Sequence, residues 1–250
     1  MKISATVITL EEQRHIRQCL QSLEEIADEI IVVDSGSRDK TLEIACELGA
    51  RTFVHEWTNY ADQKNFASSL AKHDWILSLD ADECLSPSLR AEILRAKRNA
   101  TDAVAFAFPR KAFYMGRWIE HSGWYPDHKV RLFLKDKARW EGRFVHESLR
   151  IDGPVVQLRG DLLHYSCETI SEHLRTLDHY TSLAAEELRH RHRRSGWLQM
   201  LGSAVAAFLK TYLLKQGFRD GKQGFLIACF ASYYNLVKYA KLWELEQLKQ

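Results

Sequence analysis

Apolar positions over the first hundred residues alternate between two periods. Continuous runs rich in β-branched residues, Ile3 to Leu10, Glu29 to Asp34, Arg51 to His55 and Trp75 to Leu79, read as buried strands. Between them the apolar positions recur at helical spacing. Ile16, Leu20 and Leu23 share one face of a helix over Arg14 to Leu23, and Thr41 to Leu48, Ala61 to Ala71 and Pro87 to Arg98 continue the pattern. Ser86 before Pro87 supplies an N-cap and first-turn pair. Strands separated by helices of this length predict βαβ units, right-handed crossovers and a mostly parallel central sheet flanked by helices. The predicted fold class is α/β.

From Thr101 to Tyr165 the pattern becomes short strands, Ala103 to Pro109, Lys129 to Leu134 and Pro154 to Leu158, between loops rich in Trp, Tyr, Gly and His. Loops of that kind carry sites. Ile170 to Leu188 reads as a helix, followed by RHRHRRS (Arg189 to Ser195) and two apolar stretches, Trp197 to Leu214 and Gly224 to Trp243. Neither stretch reaches the ~20 uncharged residues of a comfortable membrane span, because Lys210 interrupts one and Lys238 and Lys241 the other. Apolar helices with marginal lysines, preceded by arginines, read as interfacial helices drawn to anionic lipid. The alternative is a helical hairpin packed on the rest of the chain or forming a dimer. The arginines in RHRHRRS make a metal site at His190 and His192 unfavourable.

Composition narrows the classes. A 250-residue chain that is 46% hydrophobic and 27% charged, with 12 Gly and 4 Pro, is an ordinary globular protein, which excludes disordered and collagenous chains. Its five cysteines are scattered without a CxxC pair, so neither a disulfide framework nor a cysteine zinc site is expected, and a reducing cytosol is the simplest compartment. Charge returns at Glu11 and Glu12, too early for a secretory leader. The net charge of +2 is a cancellation: residues 1–188 hold 24 Lys+Arg against 30 Asp+Glu, and residues 189–250 hold 11 against 3. No nucleic-acid partner is expected from that total. The basic, apolar tail instead suits an anionic surface.

Two predicted strands end in carboxylates. EIIVVDSGSRD places Asp34, and DWILSLDADE places Asp80 and Asp82, at strand ends where open parallel sheets bind ligands. Carboxylates at i and i+2 leaving a strand can share a hard divalent cation with water and phosphate oxygens. The competing reading is a solvated acidic turn or a helix-start charge cluster. Asp39 fits a cap for the following helix. GxGxxG after the first strand and GxxxxGK[ST] are both missing, which argues against a dinucleotide fold and a P-loop and leaves a metal to hold phosphates.

VITL, VVDSGSRD, DQKNFA (Asp62 to Ala67) and LSLDADE, at these spacings, resemble the nucleotide-sugar half of an inverting glycosyltransferase of family 2 with the GT-A fold. GRWIEHSGWYPDHKVRLF, EGRFVHE, GDLLHY and LVKYAKLWEL resemble the lipopolysaccharide inner-core β-glycosyltransferases, which add glucose or a similar hexose to a core heptose. Two departures stand out: Glu11-Glu12 follow Leu10 where the family has Asn-Glu, and Asp39-Lys40 replaces Asp-Gly. The resemblance implies a catalytic domain over residues 1–188, with its nucleotide-sugar half near 1–100 and acceptor half near 101–188, and a membrane-associating helical extension over 189–250. It places Thr9 and Glu12 at the edge of a uridine pocket, Asp34 on the uracil, and Lys64 and Asn65 near the nucleotide. Asp80 falls on the ribose or donor sugar, and Asp82, with Asp80 as a second candidate, on a Mg2+ or Mn2+ ion.

Inverting transfer needs a base opposite the diphosphate, acting through an oxocarbenium-like state. Glu147 in VHE is the preferred base and Asp127 in GWYPDHK the alternative; a salt bridge from Glu147 to Arg131 or Arg143 is the structural alternative. Arg131, Lys129 and His146 fall where cations meet the diphosphate or acceptor phosphates, or else form structural pairs. Trp124 and Tyr125 offer faces for sugar stacking, or pack a loop. His164 in LLHY reads as a hydrogen-bonded core histidine rather than a metal ligand. The expected partners are a UDP-sugar donor, a lipopolysaccharide core acceptor and an anionic membrane surface, with the protein peripheral on the cytoplasmic face of the bacterial inner membrane. Two rivals remain: a polyprenyl-phosphate sugar transferase of the same fold, disfavoured by the lysines, and a noncatalytic binding module, disfavoured by the VHE carboxylate.

Overall fold

The computed structural model describes residues 1–99, 102–142 and 148–247. They fall into two compact units, one of Met1–Lys111 with Asp127–Tyr165 and the other of Ala112–Pro126 with Ser166–Gln250.

The first unit opens with β1 (Ile3–Thr9), α1 (Ile16–Ser22), β2 (Glu29–Asp34), α2 (Thr41–Glu47), β3 (Arg51–Val54), α3 (Tyr60–Ser69) and β4 (Trp75–Asp80). These strands are all parallel, in the order β3-β2-β1-β4. Every residue of β1 is buried, as a strand covered on both faces requires. The pleat divides the core by parity. Ile3, Ala5, Val7, Leu77 and Leu79 pack with Ile16, Leu20 and Leu23 of the α1 region, whereas Ile8, Ile31, Val33 and Ile76 pack with Ala61 and Ala67 of α3.

The sheet continues through β5 (Glu83–Leu85), β6 (Ala105–Tyr114), β8 (Asp127–Leu134) and β12 (Leu162–Cys167), giving the order β3-β2-β1-β4-β8-β6-β12-β5. Here the pairing turns antiparallel, β4 with β8, β8 with β6, and β12 with β5. The sheet is therefore mixed, and the expected parallel character belongs to its first four strands. Ser86 caps α4 (Pro87–Arg98) by accepting from Leu89 N, with Pro87 in the first turn, as its sequence predicts. A separate hairpin joins β9 (Ala138–Glu141) to β10 (Ser148–Ile151), and the short β11 (Val155–Gln157) runs parallel to β6.

The second unit holds the end of β6, the short β7 (Arg117–Trp118), a loop to Pro126, and the helices α5 (Ile170–His190), α6 (Trp197–Leu209) and α7 (Gly221–Gln247). A capping box of Thr169 and Glu172 starts α5. A π turn over Lys210–Leu214 and a 3-10 turn over Gly217–Asp220 connect α6 to α7. The 3-10 turn presses so closely on α7 that a Cβ at Gly224 would lie 1.8 Å from the Gly217 carbonyl oxygen. The expected boundary at residue 188 differs from this grouping, because α5 buries Leu177, Thr181 and Ala185 and packs along α7, where Lys241 reaches Asp178 at 2.7 Å. Trp197–Leu214 forms one 18-residue helical stretch of hydropathy 1.2, long and apolar enough to cross a membrane by length and composition.

Candidate active site

The site grows from the carboxyl ends of the parallel strands. Register pairs Thr9 with Asp34 across β1 and β2, and Ile8 with Asp80 across β1 and β4, so three candidate residues share one sheet edge. Thr9 is buried, and its hydroxyl has no hydrogen-bond partner among the described residues.

The loops after β1 and β2 are stitched together. Glu11 N donates to Ser37 Oγ at 2.7 Å, Glu12 N to Thr41 Oγ1 at 2.8 Å, and Gln13 N to Asp39 Oδ2 at 3.2 Å. Asp39 also accepts from Thr41 N at 3.0 Å, an Asx turn one residue ahead of the N-cap Lys40, which makes no side-chain cap bond, so the expected cap at Asp39 falls one position before the helix cap. Asp34 is fully buried and accepts from Gly36 N at 2.8 Å, Ser37 N at 2.7 Å and the Ser37 hydroxyl. Gly36 sits at φ +104°, a conformation other residues avoid. Asp34 thus shapes the turn, and the nucleotide contact expected of it does not follow from an exposed carboxylate. Glu12 stays half-buried, its carboxylate 2.8 Å from His15 Nδ1.

Around Asp80 the charges alternate. Lys64, fully buried on α3, places Nζ 3.0 Å from Asp80 Oδ1 and 4.6 Å from the centre of the Trp140 ring. Arg131 on β8, 3% exposed, reaches Asp80 Oδ2 at 2.7 Å and Glu83 Oε1 at 2.8 Å. Glu83, itself fully buried, also accepts from Asp80 N at 3.1 Å and lies 3.6 Å from Arg110. Burial alone would raise the Asp80 carboxyl, but the Arg131 guanidinium and the Lys64 ammonium outweigh it and hold it well below the usual carboxylate range. Both Asp80 oxygens are therefore engaged by cations. Arg131 is a structural cation beneath this edge rather than an exposed phosphate contact. Asn65 turns to the Trp140 backbone, donating to its carbonyl at 2.9 Å and accepting from its N–H at 3.1 Å, which fixes the β9 edge rather than leaving a free amide.

Asp82 has a different neighbour. The antiparallel β12–β5 register pairs His164 with Glu83, and His164 Nε2 lies 3.1 Å from Asp82 Oδ2. Burial would lower the imidazole pKa, yet the Asp82 and Glu83 carboxylates raise it above the ordinary value. His164 is hydrogen-bonded, as expected, but its partner is the residue expected to hold a cation. Among the described residues no group of three or more His, Cys, Asp or Glu side chains is arranged to hold a metal. The Asp82–His164 pair still fits two protein positions of an open site. An aspartate oxygen beside an imidazole nitrogen is a donor set that would suit a transition ion such as Mn2+ better than Mg2+, which prefers oxygen donors alone.

Asp127, the alternative base, starts β8 with Oδ2 2.8 Å from Arg110 and Oδ1 3.0 Å from Lys129 Nζ. Both Asp127 oxygens are thus already committed to ion pairs within the chain. Glu147 and His146 lie outside the described residues. In the second unit, Trp124 packs edge-on against Tyr114 at 5.2 Å and belongs to a small core with Ile119 and Ile227. That is the packing alternative for Trp124; Tyr125 is half-buried and joins Pro126 through a cis peptide.

Comparison with known proteins bears directly on this edge. The profile of glycosyl transferase family 2 matches residues 4–155, which span β1 to β11 and include both carboxylate-ended strands. The chain belongs to glycosyl transferase family 2. The glycosyltransferase is 31% identical to an uncharacterized glycosyltransferase of Rickettsia typhi over 98% of this chain and 87% of that one. It is 28% identical to the lipopolysaccharide core biosynthesis glycosyltransferase LpsC of Rhizobium meliloti, over 100% of this chain and 94% of LpsC. Among solved structures, glucosyl-3-phosphoglycerate synthase of Mycobacterium tuberculosis in complex with Mn2+, UDP and phosphoglyceric acid is similar at 23% identity and TM-score 0.37, over 46% of this chain and 44% of that one. The enzyme has the GT-A architecture, a mixed sheet flanked by helices with helices at its C-terminal end.

Proposed function

We propose that this glycosyltransferase moves a hexose, glucose in the first instance, from a UDP-sugar to a heptose of the lipopolysaccharide inner core, with inversion at the anomeric carbon. The observation that carries the reading is the sheet edge at the DAD segment, where Asp82 and His164 offer an oxygen and a nitrogen donor 3.1 Å apart beside the ion-paired Asp80. The similarity to LpsC over the whole chain supports the choice of acceptor.

Each residue has a role in this reading. Thr9 and Glu12 border the uridine, and the stitched loops behind them, tied by Ser37, Asp39 and Thr41, keep that border rigid. Asp80, ionised and held by Lys64 and Arg131, presents a fixed acceptor to a ribose or sugar hydroxyl. Asp82, with His164 beside it, would hold Mg2+ or Mn2+. The bound ion supplies Lewis acidity to the departing diphosphate. Glu147 takes the proton of the attacking acceptor hydroxyl; the two cations on Asp127 support this choice of base.

The test is a panel of UDP-sugars assayed with and without Mn2+ or Mg2+, followed by product mapping on truncated lipopolysaccharides. Turnover of a UDP-hexose onto a heptose-terminated core supports the reading. Transfer to a polyprenyl phosphate instead, which the apolar stretch Trp197–Leu214 keeps as the second reading, would replace the acceptor while leaving the donor site intact.

A further inference from the structure

The helix α6 buries only a narrow side. Met200 and Ala204 are its buried residues, and it packs along α7. Its other side is a stripe of large apolar side chains left in solvent: Leu198 is 91% exposed, Leu201 56%, Val205 59% and Leu209 46%. The spacings of three and four residues put these on one helical face. The π turn that follows is wider than an α turn and returns Leu213, 53% exposed, toward the same face. Trp197 at one end and Phe218 at the other, 73% and 52% exposed, place an aromatic ring at each limit of the stripe.

The charges on this segment itself have one sign; from α7, Glu246 accepts from the Ser195 N–H at 3.2 Å, ahead of the stripe. From Arg189 to Arg219 the sequence contains no Asp or Glu, and the exposed Arg193, Arg194, Lys210 and Lys215 flank the apolar residues. We propose that this face docks the second unit onto the interface of an anionic phospholipid bilayer, the stripe entering the headgroup–acyl boundary and the cations meeting lipid phosphates.

Charge separates this occupant from a second copy of the chain. A two-fold dimer would set the patch against itself and bring Arg193, Arg194, Lys210 and Lys215 of the two copies together, with no carboxylate on the Arg189–Arg219 segment to offset them. Amphipathicity separates it from a membrane span: the 18-residue stretch carries Lys210 within it and buries Met200 and Ala204 on the side away from the stripe, the pattern of a helix lying in an interface.

The experiment uses the full chain, sedimented with vesicles of phosphatidylcholine alone or mixed with phosphatidylglycerol, beside the doubly substituted Leu198→Glu/Leu201→Glu. Both positions are exposed, so the variant keeps its thermal midpoint, which is measured alongside. The expected result is binding to the anionic vesicles at least about tenfold stronger than to the neutral ones, reversed by high salt and lost in the variant. Equal binding to both vesicles, binding that survives the substitutions, a dimer in light scattering that the substitutions abolish, or protein retained in cell membranes through alkaline carbonate extraction would each overturn it. Vesicle binding is read without sugar transfer, so its failure is distinguishable from failure of the proposed reaction.

Discussion

Replacing Lys64 by Met keeps the stem of a fully buried side chain and removes only its charge. Asp80 then loses one of two counter-ions while Arg131 remains 2.7 Å away. At the observed 3.0 Å the Lys64–Asp80 attraction is about 5 kcal/mol for an effective dielectric of about 20. The variant also avoids burying an ammonium, a cost of several kcal/mol that offsets part of that loss. With Asp80 left under-compensated, a net destabilisation of about 3 kcal/mol follows. For a chain of 250 residues this lowers the melting temperature by about 6–12 °C, read by circular dichroism. Adding Asp80→Asn to Lys64→Met should recover part of the loss, because the uncompensated charge disappears. A melting temperature within about 2 °C of the parent, together with a double-mutant coupling below about 0.5 kcal/mol, would refute the ion-pair account of this edge.

Three further outcomes follow from the same contacts. Glu147→Gln should reduce turnover at least about a hundredfold while Asp127→Asn retains most of it, measured as steady-state transfer; the reverse pattern would make Asp127 the base. Asp220, fully buried, accepts from Ser122 Oγ at 2.8 Å, His121 N at 3.1 Å and Glu120 N at 3.2 Å, so Asp220→Ala should cost about 3 kcal/mol and open the 119–122 loop to protease, with Asp220→Asn milder. Asp28 and Glu29 are held below their ordinary values: burial would raise both, but the Lys97 ammonium and the Ile3 N–H outweigh it at Asp28, and the Lys72 N–H, the Ser4 hydroxyl and Arg51 do so at Glu29. Lowered carboxyls stabilise the fold above their unfolded values near about 4 and lose that contribution as pH falls through the folded ones, so melting temperature should drop from pH 5 toward pH 3, and less steeply in Asp28→Asn.

The parallel half of the fold is legible in the chain because its signals are local. The span of β2 is the same in pattern and structure, as is that of α4 with its Ser86 cap. The short strands β5, β9, β10 and β12 are not, because each gains its stability from a partner that the neighbouring residues do not reveal. The same division runs through the site. The DAD carboxylates announce themselves at a strand end, yet their different duties depend on residues far along the chain. Lys64 becomes a buried counter-ion only when α3 meets β4, and Arg131 joins it only through the β4–β8 pairing. His164 reaches Asp82 through the β12–β5 register, and its only signal in the sequence is a histidine within the apolar LLHY run. Asn65 looks polar and available in sequence, but both ends of its amide are committed to the Trp140 backbone.

The central claim is that Asp82, paired with His164, makes the DAD edge a working donor site. It is tested most directly by hexose transfer from the UDP-sugar that the wild-type protein uses, measured with Mn2+ or Mg2+ for wild type and Asp82→Ala side by side. The account predicts metal-dependent turnover in the wild type and its loss, by at least about a thousandfold, in the variant. Full metal-dependent activity in Asp82→Ala would contradict it.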